Sequence, residues 1–245
     1  MRNLESYPKL SNEETRRELE KVIASGKTSE LTELALKKPE VIFELERKLE
    51  EGDKFDKMDA LWALSKLAER LDSTKALILE PAVEPLMKIS SSKNRWMRRR
   101  AAKTLATLAS KAPYGDEIVG RFLEWYLSDG EDKAVPSLEF FSYYFLKTWD
   151  EKTAEIVLSR LDEFIQEEET SFDALMTLEA VITSIPPEKA EILRNYVPLL
   201  ERLKETAPPE VQKLTIRILD EMALKLKALF SRRDALSLQR RSPCL

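Results

Sequence analysis

The chain has 245 residues, of which 34% are charged and 43% hydrophobic, and its formal net charge is −4. This near balance of acids and bases is unlike that of a general nucleic-acid binder, and the presence of only 5 Gly argues against sheets and tight hairpins. The absence of histidine excludes Ser-His-Asp and Cys-His nucleophile systems and histidine-based zinc sites.

The same composition predicts the compartment. No apolar run reaches the ~18 residues of a membrane span, and the first residues lack the apolar core of a signal peptide. Cys244 is too isolated for a disulfide within the chain or for a metal cage. We therefore predict a cytoplasmic protein with no cofactor, no metal and no membrane association. The abundance of Glu, Lys and Arg also favours a thermophilic source.

Start and stop signals predict three helices in the N-terminal part of the chain, at 12–25, 30–37 and 39–51. Glu13 and Glu14 complement the dipole at the start of the first helix, and Gly26 and Gly52 end the first and third. We expect residues 1–53 to form an N-terminal cap of helices.

A regular series of helices follows this cap. The predicted ranges are 56–71, 73–90, 95–111, 116–127, 133–149, 151–166, 171–184, 187–206 and 209–230. Their short connections carry Gly, Pro, Ser or Asp, as expected between antiparallel helices. Residues 231–245 lack a continuous apolar stripe and are predicted to form a basic, disordered tail.

One apolar pattern returns about every forty residues along these helices. It starts with a small residue at Ala60, Ala101, Ala174 and Thr215, and the first two and the last two are each 41 residues apart. The longer interval between Ala101 and Ala174 leaves room for a weaker copy near Leu138. A period of this size is typical of an α-solenoid built from stacked helix pairs.

Several segments resemble HEAT repeats. Met97–Leu105 resembles the second helix of such a repeat, and Lys57–Leu64 and Val211–Leu219 are similar to it. Val83–Leu86 and Val197–Leu199 resemble the first helix, in which a proline midway along the helix bends it.

The resemblance to the HEAT and armadillo-type family implies the fold. It implies an all-α protein, a right-handed α–α superhelix of about five helix pairs with an N-terminal helical cap. The repeats would occupy residues 54–230 and form one structural domain together with the cap. The pair at 116–149 fits poorly, because aromatic residues replace its alanines.

The densest basic cluster of the sequence lies at the start of the helix predicted at 95–111. Arg95, Arg99 and Lys103 follow one another at four-residue intervals and share one helix face with Trp96 nearby. This cluster is a candidate partner-binding surface that would take phosphate groups or an acidic segment. The alternative is a structural role, in which these cations pair with acids of neighbouring turns.

A second candidate is the aromatic helix predicted at 133–149. Tyr143, Tyr144 and Trp149 are candidate binding residues if the helix presents an exposed patch. The alternative is an enlarged aromatic core beneath Trp125 and Tyr126. Arg232 and Arg233 in the basic tail are a third candidate, as part of a segment that orders on binding.

The repeat pattern favours a non-enzymatic scaffold or adaptor that binds a protein partner on an extended surface. The alternative is a DNA-binding protein related to the alkylpurine DNA glycosylases, because 94–102 is similar to part of such proteins. Trp125 and Asp129 depart from the Trp-Asp signature of that group, and the charge balance argues against a tight grip on DNA. A lyase or chaperone for a cofactor is a third possibility, which no cysteine near a groove supports.

Overall fold

The computed structural model describes residues 13–128 and 130–239, with the backbone alone described at Glu131 and from Phe230 to Gln239. Within these residues the chain is helical and contains no strand. The helices are α1 (Glu13–Ser25), α2 (Thr28–Lys37), α3 (Glu40–Glu51), α4 (Lys54–Arg70), α5 (Val83–Ser90), α6 (Arg95–Ala109), α7 (Gly115–Leu127), α8 (Glu131–Phe145), α9 (Glu151–Leu158), α10 (Leu161–Gln166), α11 (Ser171–Ser184), α12 (Val197–Thr206) and α13 (Pro209–Gln239). Two 3₁₀ helices, Lys75–Ala82 and Pro187–Tyr196, precede α5 and α12. The predicted all-α fold is confirmed.

The prolines at which bends were predicted lie where each 3₁₀ helix passes into an α-helix. Pro81 lies inside the first 3₁₀ helix and Pro85 in the first turn of α5. Pro198 takes the equivalent place in α12. Proline lacks the N–H that an α-helical turn requires, so the chain tightens to 3₁₀ geometry before each α-helix begins.

The helix predicted at 151–166 is broken into α9 and α10. The hydroxyl of Tyr126 donates to the carbonyl of Val157 at 2.6 Å, and that of Tyr196 donates to the carbonyl of Leu158 at 2.6 Å. These carbonyls are thus bonded by side chains from other helices at the point where α9 ends, which satisfies them without a further helical turn.

The chain divides into two compact units between Glu124 and Trp125. In the N-terminal unit, α4 packs against α2, α3 and α6, and α5 packs against α6. Leu61, Leu64 and Leu67 of α4 and Leu105 of α6 are fully buried there. They lie on the apolar stripes that the periodicity indicated.

In the C-terminal unit, α11 packs between α8 and α13, and α12 packs against α13. Aromatic side chains supply much of this core, since Tyr126, Phe140, Phe141 and Phe145 are fully buried. The ring of Tyr126 meets that of Phe141 edge-on at 5.7 Å between centroids. Burial raises the pKa of the Tyr126 hydroxyl, which therefore stays protonated as a hydrogen-bond donor.

In two repeats a lysine hydrogen-bonds to carbonyls at the end of the preceding repeat's second helix. The sequence interval between the lysine and these carbonyls is the same in both repeats. Lys111 donates to the carbonyls of Leu71 at 2.5 Å and Glu69 at 3.5 Å, which are 40 and 42 residues earlier. Lys225 repeats both intervals with the carbonyls of Ile185 and Thr183, each at 3.1 Å. The last carbonyls of a helix lack partners within it, so a cation placed there stabilises the end.

The C-terminal helix is longer than predicted. Instead of ending at Phe230 before a disordered tail, the backbone of α13 remains helical to Gln239. The segment 231–239 is rich in Arg, Ala, Leu and Gln, which favour helix wherever a turn already exists. The division into a cap at 1–53, repeats at 54–230 and a tail at 231–245 stays a prediction.

Candidate binding surface

Helices α4 and α6 begin in the same way, one repeat apart. The side chain of Asp53 accepts hydrogen bonds from the backbone N–H groups of Phe55 and Asp56, at 2.8 and 2.9 Å. Asn94, 41 residues later, accepts one from Met97 at 3.2 Å. Both are effective N-cap residues, because a short side-chain oxygen satisfies donors of the first turn. The caps fix equivalent starting points for the two helices.

This equivalence places matching side chains on two neighbouring helices. Lys54 and Arg95 are the first helical residues, and Phe55 and Trp96 are the second. Phe55 is 73% exposed and Trp96 44% exposed. Each helix therefore presents an exposed aromatic ring beside an exposed cation, and α4 and α6 pack against each other.

The outward-facing sides of α4 and α6 are predominantly basic and aromatic along the rest of each helix. We use the name basic–aromatic surface for Phe55, Trp62 and Lys66 of α4 and Trp96, Arg99, Arg100 and Lys103 of α6, of which Phe55 and Trp96 are exposed and the others half-buried. Their spacing of three, four and seven residues puts each set on one face of its helix. Asp59 and Glu69 are the acidic residues on the same strip of α4.

Internal contacts hold several of these side chains in place. The guanidinium of Arg100 lies over the ring of Trp96, 5.5 Å from its centroid, an arrangement favoured by the ring's negative face. Glu69 accepts a hydrogen bond from Lys66 at 2.9 Å and pairs with Lys103 at 3.6 Å. Burial opposes ionisation of Glu69, but these two lysines outweigh it and lower its pKa.

The predicted basic cluster is split between surface and structural positions. Arg95 and Trp96 are exposed, whereas Arg99 and Lys103 are half-buried. Arg98 donates to the carbonyl of Ser92 at 3.2 Å, so it fastens the turn before its own helix. Neither Arg95 nor Arg99 is without a partner in the molecule.

The aromatic helix is chiefly part of the core. Tyr144, predicted as a binding candidate, is only 5% exposed; its ring stacks on Phe140 at 5.7 Å, which places it in the interior rather than on a surface. Tyr143 and Trp149 are half-buried. The ring of Trp149 tilts against that of Phe145 at 6.4 Å. Because aromatic residues occur on all sides of α8, the sequence pattern does not show which of them are buried. Packing against neighbouring helices determines this.

The remaining predicted positions are less fully described. Arg232 and Arg233 belong to the helical backbone of α13, and their side chains lie outside the described residues. Asp129, weighed with Trp125 for a DNA-repair signature, also lies outside them. Trp125 itself is half-buried.

Sequence reasoning missed the three members of the basic–aromatic surface that lie on α4: Phe55, Trp62 and Lys66. A usable signal was present, because Phe55 and Trp96 are separated by 41 residues, the interval found for the alanines. Adding the 41-residue period to the position of Phe55 leads to Trp96, which would have paired the two rings. The stacking of Arg100 on Trp96 follows from their four-residue spacing.

Two of the grooves on the surface of the C-terminal unit are lined by residues of α9 to α13. The larger, of ≈ 600 Å³, lies between α9–α10 and the second 3₁₀ helix with α12, and includes Glu155, Asp162 and Arg202. The smaller, of ≈ 330 Å³, lies between α12 and α13. Among the side chains that the structure describes, no cluster of three or more acidic or cysteine residues could hold a metal ion. No helix in that part of the chain has the length and hydropathy to cross a membrane.

Comparison with solved structures identifies the fold. A designed armadillo repeat protein in complex with the peptide (KR)4 matches with a TM-score of 0.52 and 18% identity, over 85% of this chain and 91% of that chain. An engineered protein matches with a TM-score of 0.51 and 20% identity, over 91% and 94% of the two chains. The predicted HEAT- and armadillo-type α-solenoid fold is therefore confirmed.

An archaeal HEAT-like repeats protein from Thermococcus onnurineus NA1 covers 90% of this chain and 100% of its own, with 17% identity. Its TM-score of 0.43 is too low to add to the argument. No protein-family model and no curated protein matches the sequence.

Proposed function

We propose that this protein is a non-enzymatic interaction scaffold whose basic–aromatic surface binds an acidic segment of a partner protein. The segment would carry apolar or aromatic side chains among its acids. The observation that carries the proposal is the repetition of an exposed cation and an exposed aromatic ring, Lys54–Phe55 and Arg95–Trp96, on two adjacent helices.

The spacing of the two rings suits a polypeptide ligand. Packed helices have axes about 8–10 Å apart, and a chain in the polyproline II conformation has three residues per turn and advances about 3.1 Å per residue, so that side chains three residues apart share one face. Side chains three residues apart in the partner could therefore meet Phe55 and Trp96 together. Aromatic residues and arginine are the groups that contribute most at protein interfaces.

The net positive charge of the basic–aromatic surface determines which charge the partner peptide should carry. Lys66, Arg99, Arg100 and Lys103 outnumber Asp59 and Glu69 on this strip. The designed armadillo repeat protein with a similar fold was solved with the peptide (KR)4, so this solenoid architecture can hold a peptide. On this chain the cations of the strip favour a peptide of the opposite sign.

Fluorescence anisotropy with three labelled peptides of equal length tests the proposal. The first carries Glu with Phe at every third position, the second has Ser in place of Phe, and the third has Lys in place of Glu. We expect the first to bind most tightly. Replacing Phe55 and Trp96 together by Ala is expected to raise its Kd roughly tenfold to a hundredfold.

Two matched variants control for unspecific effects. Leu127→Ala/Leu146→Ala removes two exposed apolar side chains of the C-terminal unit. Arg99→Glu/Arg100→Glu is compared with Lys147→Glu/Lys152→Glu, which makes the same change of charge at exposed positions. Equal binding of all three peptides, or equal loss in the control variants, would contradict the proposal. Binding to labelled DNA but to none of the peptides would favour the DNA-binding alternative.

A further inference from the structure

The last helix of the described chain is much longer than its neighbours. Helix α13 has 31 residues, about 46 Å at 1.5 Å per residue, whereas α11 has 14 residues and spans about 21 Å. Its described packing partners are α11, α12 and the second 3₁₀ helix. One side of α13 is buried against them through Leu214, Ile218, Met222 and Leu229.

A second apolar stripe runs along α13 beside the groove shared with α12. It consists of Ile216, Leu219, Ala223 and Leu226, which line this groove together with Val197 of α12. The side chain of Ile216 is 45% exposed. Steps of three, four and three residues match the a and d positions of a heptad, the pattern by which two helices pack along a seam. In the sequence the next step of four is Phe230.

The charges beside this stripe alternate in sign. Lys213, Asp220 and Lys227 are exposed and follow one another at seven-residue intervals, which is one flank of the seam. The sequence continues the alternation at Asp234. The opposite flank holds Thr215, Met222 and Leu229, which are buried within the unit. On α13 itself only one flank therefore carries charge, and Glu201 and Lys204 of α12 line the other side of the groove.

We propose that α13 pairs with α13 of a second copy of this chain, antiparallel and about a two-fold axis. Ala223 then packs against the partner's Leu226, small against large, on both sides of the axis. Asp220 lies beside the partner's Lys227, and Lys227 beside the partner's Asp220. A two-fold contact must be self-complementary, and alternating charges on one flank are self-complementary only when the helices run in opposite directions.

The charge pattern separates this arrangement from a parallel pair. In a parallel pair each charged flank faces the other flank of its partner, which here carries no charge. Asp220 and Lys227 would then not face each other across the seam, and exchanging the two charges would not restore association. The surface is distinct from the basic–aromatic surface, so the dimer does not depend on the proposed function.

Sedimentation velocity on the full chain over a wide range of concentration tests the dimer. We expect the mass to rise from 28.3 kDa towards twice that value with concentration. Ile216→Glu is expected to leave only the monomer. Leu224→Glu, a matched change on the same helix at a side chain that is 69% exposed but off the stripe, should leave the dimer intact.

Charge exchange tests the direction of the helices. Asp220→Lys and Lys227→Asp should each raise the dimer Kd roughly tenfold or more, because each sets like charges opposite one another. The double variant restores opposite charges across the two-fold axis and should recover wild-type association. A wild-type chain that remains monomeric, a double variant that is not rescued, or equal loss in Leu224→Glu would each overturn the proposal.

Discussion

Two buried charged side chains, Glu44 and Lys48, form ion pairs that join the N-terminal helices. Glu44, 2% exposed, accepts hydrogen bonds from Arg47 at 2.6 and 3.1 Å, and Arg16 lies 3.7 Å away. Lys48 is also buried, with 7% of its side chain exposed, and pairs with Asp56 of the next helix. Burying one charge is tolerated only when another compensates it.

Asp56→Asn is expected to change the pH dependence of stability. The hydrogen bond from Lys48 lowers the pKa of Asp56 below its ordinary value of 3.8, although burial opposes the shift. A lowered pKa contributes stability above 3.8 that is lost as the pH falls through the folded-state value. Urea unfolding between neutral and acidic pH should therefore show a shallower acid loss in the variant than in wild type.

At neutral pH the same variant leaves Lys48 without its carboxylate and should be less stable by about 1–2 kcal/mol. This is below the cost for a fully buried pair, because 39% of the Asp56 side chain is exposed. Asp59→Asn, an exposed acid on the same helix, is the control. An identical acid profile for wild type and Asp56→Asn would show that the pair does not govern acid stability.

At the scale of helices, the repeat interval appears both in the sequence and in the bonds between elements. Besides the lysine caps, Tyr114 donates to the carbonyl of Ala76 and Tyr196 to that of Leu158, each across 38 residues. Arg121 pairs with Glu84 at 2.7 Å across a similar interval. Such bonds join one helix pair to the next and fix the register of the stack.

Lys111→Met and Lys225→Met should each lower the free energy of unfolding by about 1 kcal/mol. Each variant keeps the length and apolar part of the side chain but removes the cation from the end of a helix. Urea unfolding measures the loss, with Lys152→Met at an exposed position as the control. Urea unfolding midpoints equal to that of Lys152→Met would show that these caps do not contribute to stability.

The sequence predicted the positions of these helices well but not their internal geometry. Pro85 and Pro198 lie where each predicted helix changes from 3₁₀ to α geometry. The break at Ser159 in the helix predicted at 151–166 depends on bonds from other elements. The hydroxyls of Tyr126 and Tyr196 come from outside that segment, so no local pattern could reveal the break.

At the scale of the whole molecule, the two proposed surfaces have a joint consequence. A dimer through α13 carries two copies of the basic–aromatic surface, and two binding sites on one assembly slow its release from a densely coated ligand surface. Function would then depend on a helix that does not itself contact the ligand.

Asp220→Lys is therefore expected to dissociate roughly tenfold or more faster than wild type from a surface densely coated with the acidic Phe-containing peptide. In solution, with the peptide labelled and monovalent, both proteins should bind equally. The double variant with Lys227→Asp should regain slow release. Equal release rates for wild type and Asp220→Lys would show that the two surfaces do not act together.

The sequence by itself determined the all-α solenoid, because each helix pair contacts chiefly its neighbours and so every pair must carry its own apolar stripe. Only the tertiary structure decided which residues of similar chemistry became core and which became surface. Tyr144 and Trp96 are both aromatic residues in helices, yet one is buried by neighbouring helices and the other stays exposed. Periodicity marks the faces of a helix, whereas burial depends on what packs against each face.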